Sequence, residues 1–238
     1  MRMYYVGWDV GAWHCDNNSN SRDAIAVLNE DNGFKFEKRS CVREQLNTES
    51  VACFLNKYFD STEFKESDSF YFAIDAPFGW SLAFQKLLRG EKVSFFDFTN
   101  TRARDKGEKK AKKMAIDNPF LFRDTEQFVE GKIKKPLSAV QDSIGSQSTK
   151  AMFFLQKFGF IQSKPGVWKK ENCTAIETYP SVVADKKGID DIADAKICAR
   201  LAKLFATSPD ELYHPDKNYI ESEGWIWSPK KPLKTNCF

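Results

Sequence analysis

Acidic residues stand at four places where the surrounding chain is apolar or helical. Asp9 closes the stretch YYVGWD and lies between Gly7 and Gly11. Asp75 closes SFYFAID, just before Ala76 and Pro77. Glu177 closes CTAIE, while Asp191 and Asp194 open the run DIADAKICARLAKLF. Carboxylates gathered from such places repel one another unless something positive sits between them, and a divalent cation is the economical answer. Mg²⁺ or Mn²⁺ takes oxygen ligands and is held by a few carboxylates plus substrate phosphates. Two such ions about 3.5–4 Å apart activate water and stabilise the leaving oxygen in phosphodiester cleavage. Gly7 and Gly11 fit that chemistry, because glycine lets backbone and substrate approach closely.

Each acid taken alone has a plainer reading. Asp9 could be a turn residue or a helix cap, Asp75 could bond the turn after it, and Glu177 could anchor the loop TYP. Asp191 and Asp194, spaced i, i+3 and so on one helical face, could be first-turn acids stabilised by the helix dipole. Their convergence on one edge of a sheet is what favours chemistry.

The elements that would bring them together can be read from pattern. Residues 3–10 read as a strand, the polar tract HCDNNSNSRD as a long turn, and AIAVL (24–28) as a returning strand. FKFEKRSCV (34–42) alternates like an exposed third strand. TESVACFLNKYF (48–59) puts Val51, Phe54, Leu55 and Tyr58 on one helical face, with Thr48 a plausible N-cap. A nearly all-apolar strand follows at 69–75, and continuous apolar strands are typical of parallel neighbours covered on both faces. The next strand expected is CTAIETYP (173–180). The stretch between, 78–171, reads as a large, mostly helical insertion, with helices at 81–90, about 124–130 and 149–160. A strong helix covers 191–205. The whole reads as one α/β domain over 1–238. If the strands at 69–75 and 173–180 run parallel to the first, all the strand-end acids fall outside the carboxyl ends of the strands, where α/β sheets bind ligands.

Hydrophobic residues at 42% and charged residues at 29% fit a globular chain rather than a disordered one. The six cysteines are scattered without a C-x-x-C pair, which argues against zinc and suits reduced thiols. There is no signal-peptide pattern and no apolar run near the ~20 residues that a spanning helix needs. The expectation is a soluble cytoplasmic protein with no membrane partner.

A net charge of +3 says little about nucleic acid, but its distribution says more. RARDKGEKKAKKM (102–114) carries Arg102, Arg104, Lys109, Lys110, Lys112 and Lys113, and KIKK follows at 132–135. A basic stretch beside an acidic metal site would suit a polyanion, although a solvated charged loop has the same composition. Phe95, Phe96 and Phe98 could stack on bases or fill a core. Arg123 offers a guanidinium fork for phosphate, or a pair with Glu126 at i, i+3. His14 could assist proton transfer or simply occupy a turn, and Trp225 and Trp227 are expected to pack the tail onto the domain.

The segments GWDVG (7–11), FAIDAPFGW (72–80), ETYPS (177–181) and DIADAKICARLA (191–202) together resemble the predicted nucleases grouped as family 429 among domains of unknown function. RDTE (123–126), LSAVQDSIGSQSTKAMFFL (137–155) and ESEGWIWSP (221–229) extend the resemblance over most of the chain. More distantly, the step from Asp191 to Ala195 is similar to the last helix of RuvC-type resolvases. The resemblance implies a ribonuclease H-like fold with a five-stranded mixed sheet of order 3-2-1-4-5. By position it implies Asp9, Asp75 and Asp194 as ligands of two Mg²⁺ or Mn²⁺ ions, with Asp191 and Glu177 as further catalytic candidates. The partner would be nucleic acid.

Two other classes remain open on sequence. Actin-like ATPases and sugar kinases also place an Asp and a Gly after the first strand, but they need a glycine-rich adenosine site, and this chain has only 12 glycines and no P-loop. A non-catalytic module binding nucleic acid or protein would have no need of acids at every expected place.

Overall fold

The computed structural model describes residues 1–17, 19–93, 118–130, 136–140, 142, 144–183, 190–216, 219, 221–231 and 233. The basic run 102–114, the aromatic run 94–98 and KIKK lie outside the described residues.

The described chain is an α/β structure around a mixed open sheet. Its strands are β1 (Met3–Asp9), β2 (Asp23–Leu28), β3 (Phe34–Ser40), β4 (Ser69–Asp75), β5 (Ile161–Lys164), β6 (Val167–Lys170) and β7 (Cys173–Glu177). The helices are α1 (Val51–Phe59), α2 (Leu82–Leu88), α3 (Asp124–Glu130), α4 (Gly145–Lys157) and α5 (Asp191–Thr207). The sheet runs β3-β2-β1-β4-β7-β6-β5, so it has seven strands rather than the expected five in order 3-2-1-4-5. The difference lies between 161 and 170, where an antiparallel hairpin extends the sheet beyond β7. That hairpin belongs to the stretch read as a mostly helical insertion. Its strands have four residues each, too few for alternation to register. Only the Pro165–Gly166 turn, with Gly166 at φ +63°, marks it.

β1 and β2 pair antiparallel, as do β2 and β3, while β1–β4 and β4–β7 are parallel. The alternation of β1 explains both layers. Tyr4, Val6 and Trp8 enter one core with Phe54 and Tyr58 of α1 and Phe154 of α4. Tyr5 enters the other, against Ile197, Cys198 and Leu201 of α5. Gly7 and Asp9 share the parity of Tyr5 and therefore face α5. α1 starts later than expected. Ser50 caps it by accepting from the Cys53 N–H at 3.1 Å, because the Thr48 hydroxyl donates to the Gln45 carbonyl at 2.8 Å.

Trp225 and Trp227 are both buried in the α5-side core, packing the late segment onto the sheet. No helix among the described residues is long and apolar enough to cross a membrane.

Candidate active site

The parallel ladder puts Asp9 directly opposite Asp75 at the carboxyl ends of β1 and β4. α5 brings its first turn to the same edge because it packs against the bare backbone of Gly7. A Cβ there would stand 1.9 Å from the Ala195 carbonyl oxygen and 2.2 Å from the Ala199 nitrogen. No side chain fits that space, so Gly7 sets how near Asp191 and Asp194 come to Asp9. All five expected acids line one cavity of about 340 Å³, together with Arg22, Arg123, Gln147 and Tyr179. That is the lower part of the range for small-ligand sites.

The five are not equivalent. Burial pushes the Asp9 carboxyl well above its usual range, reinforced by Asp75, Asp191 and Asp194. Asp75 is pushed up to about 8 by burial, with Asp194 and then Glu177 adding to it. No cation counters either shift, and among the described residues neither carboxylate has a hydrogen-bond or ion-pair partner. Asp191, by contrast, pairs with Arg39 of β3. Asp190, which sequence reasoning passed over, caps α5 by accepting from the Ile192 N–H at 3.2 Å.

Glu177 stands across from Ile74 rather than Asp75, so the pleat gives its side chain the opposite parity. It meets Arg123 in a two-pronged pair, Nη2 to Oε1 at 2.7 Å and Nη1 to Oε2 at 3.0 Å, and also accepts from the Phe78 N–H at 2.9 Å. Arg123 is itself fully buried. Its Nε donates to Glu126 at 2.9 Å, and Nη1 also donates to the Glu223 carbonyl at 2.8 Å. The pair with Glu126 at i, i+3 is therefore made, and every guanidinium nitrogen of Arg123 has a protein partner. Burial lowers the affinity of Arg123 for its proton, but Glu126 and Glu177 outweigh it. The glycine of ESEGW serves this pair. Gly224 sits at φ +78°, and a Cβ on it would come within 2.7 Å of Glu177 Oε2.

His14 does not line the cavity; it borders a shallow depression with Trp13, Asn17 and Arg43. Arg102, Arg104, Lys109, Lys110, Lys112 and Lys113 lie outside the described residues.

Sequence reasoning missed a second buried charged group. Asp23 and Lys150 form an ion pair at 2.9 Å with both side chains wholly buried. Asp23 also accepts from Trp8 Nε1, the Gly11 N–H and the Val42 N–H at 3.0–3.2 Å, and Lys150 donates to the Ala12 carbonyl at 2.9 Å. Cys15 and Cys41, far apart in sequence, meet beside it with their sulfurs 2.8 Å apart. Cys15, Asp23 and Cys41 are the one set of three potential metal ligands among the described residues whose donor atoms all lie within 4.8 Å of one another. The Lys150 ammonium already occupies the charge-balancing position, 3.8 Å from the Cys15 sulfur, which opposes a further cation.

The cavity acids lie farther apart than that set. Their donor chemistry, oxygen only, nonetheless fits a hard divalent cation. Mg²⁺ keeps several waters and takes only one or two carboxylates directly, so it does not require three in mutual contact. Asp9 and Asp75, adjacent and uncompensated, are the residues such an ion fits.

Comparison with protein-family models, curated proteins and solved structures finds no significant match. The family resemblance rests on the motifs alone.

Proposed function

We propose that this protein is a divalent-metal-dependent phosphodiesterase acting on nucleic acid, on a ribonuclease H-like core extended by the β5–β6 hairpin. One observation carries the reading: Asp9 and Asp75, in register on adjacent parallel strands, share a cavity and lack any counter-charge among the described residues. A carboxyl shielded from water without a counter-charge either keeps its proton or takes up a cation.

In this reading Asp9, Asp75 and Asp194 hold the cations, and Asp191 is steadied at the rim by Arg39. The cations, when bound, would polarise the phosphodiester and ease deprotonation of water. Glu177 holds Arg123 and the Phe78 backbone, keeping the cavity wall in place beside Asp75. Water adds to phosphorus, the ester P–O bond breaks, and the leaving oxygen takes up a proton.

Calorimetric titration of Mn²⁺ into the wild type and into Asp9→Asn tests this. The expected result is saturable binding in the wild type, weakened at least ~100-fold in the variant, as loss of a charged ligand on a hard cation implies. Equal binding in both proteins would sink the reading. Incubation of the Mn²⁺-loaded protein with ATP and a hydroxyl acceptor separates it from a phosphotransferase, which would move the γ-phosphoryl group to the acceptor and release ADP.

A further inference from the structure

The cavity has a wall that the acids do not explain. Arg22 and Gln147 both line it, and each carries a buried polar atom without a hydrogen-bond partner: Nε of Arg22, a donor, and Oε1 of Gln147, an acceptor. Buried polar atoms are nearly always satisfied, and each exception calls for a reason. The Arg22 guanidinium also makes no ion pair among the described residues, although four aspartates line the same cavity.

Both residues are held firmly from behind. Gly11 packs directly on the chain at Arg22, where a Cβ would stand 2.3 Å from the Ser21 oxygen and 2.5 Å from the Arg22 carbonyl carbon. On either side of Arg22, Ser21 Oγ accepts from the Ala12 N–H at 3.1 Å and Asp23 accepts from the Gly11 N–H at 3.0 Å. Gln147 lies in the first turn of α4, which docks on the same segment: Ser146 Oγ accepts from the Trp13 N–H at 2.9 Å, and Lys150 donates to the Ala12 carbonyl. The segment 11–13 therefore fixes an unpaired donor and an unpaired acceptor on one wall, beside the acids. Such placement without internal partners is how a preformed ligand site is built.

We propose that Arg22 and Gln147 recognise a nucleotide, Arg22 donating to an oxygen of its phosphate and Gln147 accepting from a sugar hydroxyl or base N–H of the same nucleotide. This deepens, and rests on, the phosphodiesterase reading. A guanidinium suits this position because it offers several donors to phosphate and keeps its charge at any working pH. The metal-binding carboxylates alone would repel a phosphate. The cation on one side and Arg22 on the other remove that repulsion, and Gln147 distinguishes a nucleotide from a bare phosphate.

The test is a set of titrations on the Mn²⁺-loaded protein with two probes, inorganic phosphate and uridine 5′-monophosphate. Arg22→Leu is expected to weaken both probes ~10- to 100-fold, the loss of a charged hydrogen bond. Arg22→Lys should recover part of that loss. Gln147→Leu should weaken uridine monophosphate ~3- to 10-fold and leave phosphate unchanged. Mn²⁺ affinity should stay constant in Gln147→Leu and rise in Arg22→Leu, since a nearby positive charge has gone. A collapsed cavity would instead lower every affinity together, which the Mn²⁺ titration and the recovery in Arg22→Lys expose. If both probes bind Arg22→Leu as they bind wild type while Mn²⁺ still binds, the inference is overturned and the metal reading stands. If the wild type binds no Mn²⁺, both fall.

Discussion

The carboxylates at this end of the sheet form two groups that the fold treats in opposite ways. Glu126 and Glu177 share the guanidinium of Arg123, and Asp23 has the ammonium of Lys150 and three further N–H donors. Asp9 and Asp75 sit beside one another and, among the described residues, receive neither a cation nor a donor. The chain commits two wholly buried cations within this region and assigns both to acids other than these two. Compensated acids hold the fold together; the bare pair keeps its protons in the fold, and its cost to stability grows as the pH rises. Natural sequences break their own rules mainly where a site must do something, and here the broken rule is charge balance.

Three measurements break or sharpen that contrast. The largest effect is expected from Arg123→Met, which leaves two buried glutamates without their counter-charge. Removing one partner of a buried pair costs about 3–5 kcal/mol, and here two acids lose theirs. Glu126 is pushed up to about 7 by burial even with Arg123 opposing it, and without Arg123 it would go higher and take up a proton at neutral pH. Denaturant unfolding measures the loss, and a cost under about 1 kcal/mol would show that the pairs are ornamental. Lys150→Met comes next, at about 2–4 kcal/mol, less because Asp23 keeps its N–H donors. A variant as stable as wild type would remove Asp23 from the compensated group.

The smallest effect has the opposite sign. Asp75 holds its proton in the fold up to a pH of about 8, whereas the unfolded group ionises near 3.8. A carboxyl with a raised folded pKa binds more protons native than unfolded, so metal-free stability falls as pH rises from about 4 to about 8. Asp75→Asn removes that contribution. It should raise stability at pH 8 by roughly 2 kcal/mol, allowing for screening by cavity water, and leave stability at pH 4 nearly unchanged. Mn²⁺ should stabilise the wild type at pH 8 and not the variant. Thermal melts at the two pH values, with and without Mn²⁺, decide it. Parallel pH curves for the two proteins would mean that Asp75 is an ordinary surface acid.

The aspartates of the cavity were legible in the sequence because their signal is local. A strand of continuous apolar residues ending in Asp marks a sheet edge, and the i, i+3 pair at 191 and 194 marks a helix face. The i, i+3 relation of Arg123 and Glu126 was readable for the same reason. The third partner, Glu177, was not, because its parity depends on register with β4. Asp23 and Lys150 are 127 residues apart, and nothing near either marks the pair. Arg22 was hidden inside a polar tract that reads as a turn, since the Gly11 contact that fixes it is tertiary. The β5–β6 hairpin fell below the length at which a strand shows its period.

The close seat of α5 on Gly7 also has a consequence for the order in which the molecule is made. Asp9 and Asp75 belong to strands that can pair early in synthesis, whereas Asp191 and Asp194 arrive only with a helix encoded well after both strands. Domains fold as the ribosome extends the chain, and contacts of long sequence separation form late. Until α5 has emerged and settled against that glycine, the growing polypeptide has Asp9 and Asp75 without the two aspartates of the facing helix. On the phosphodiesterase reading proposed above, the cation site would stay incomplete until that helix is in place.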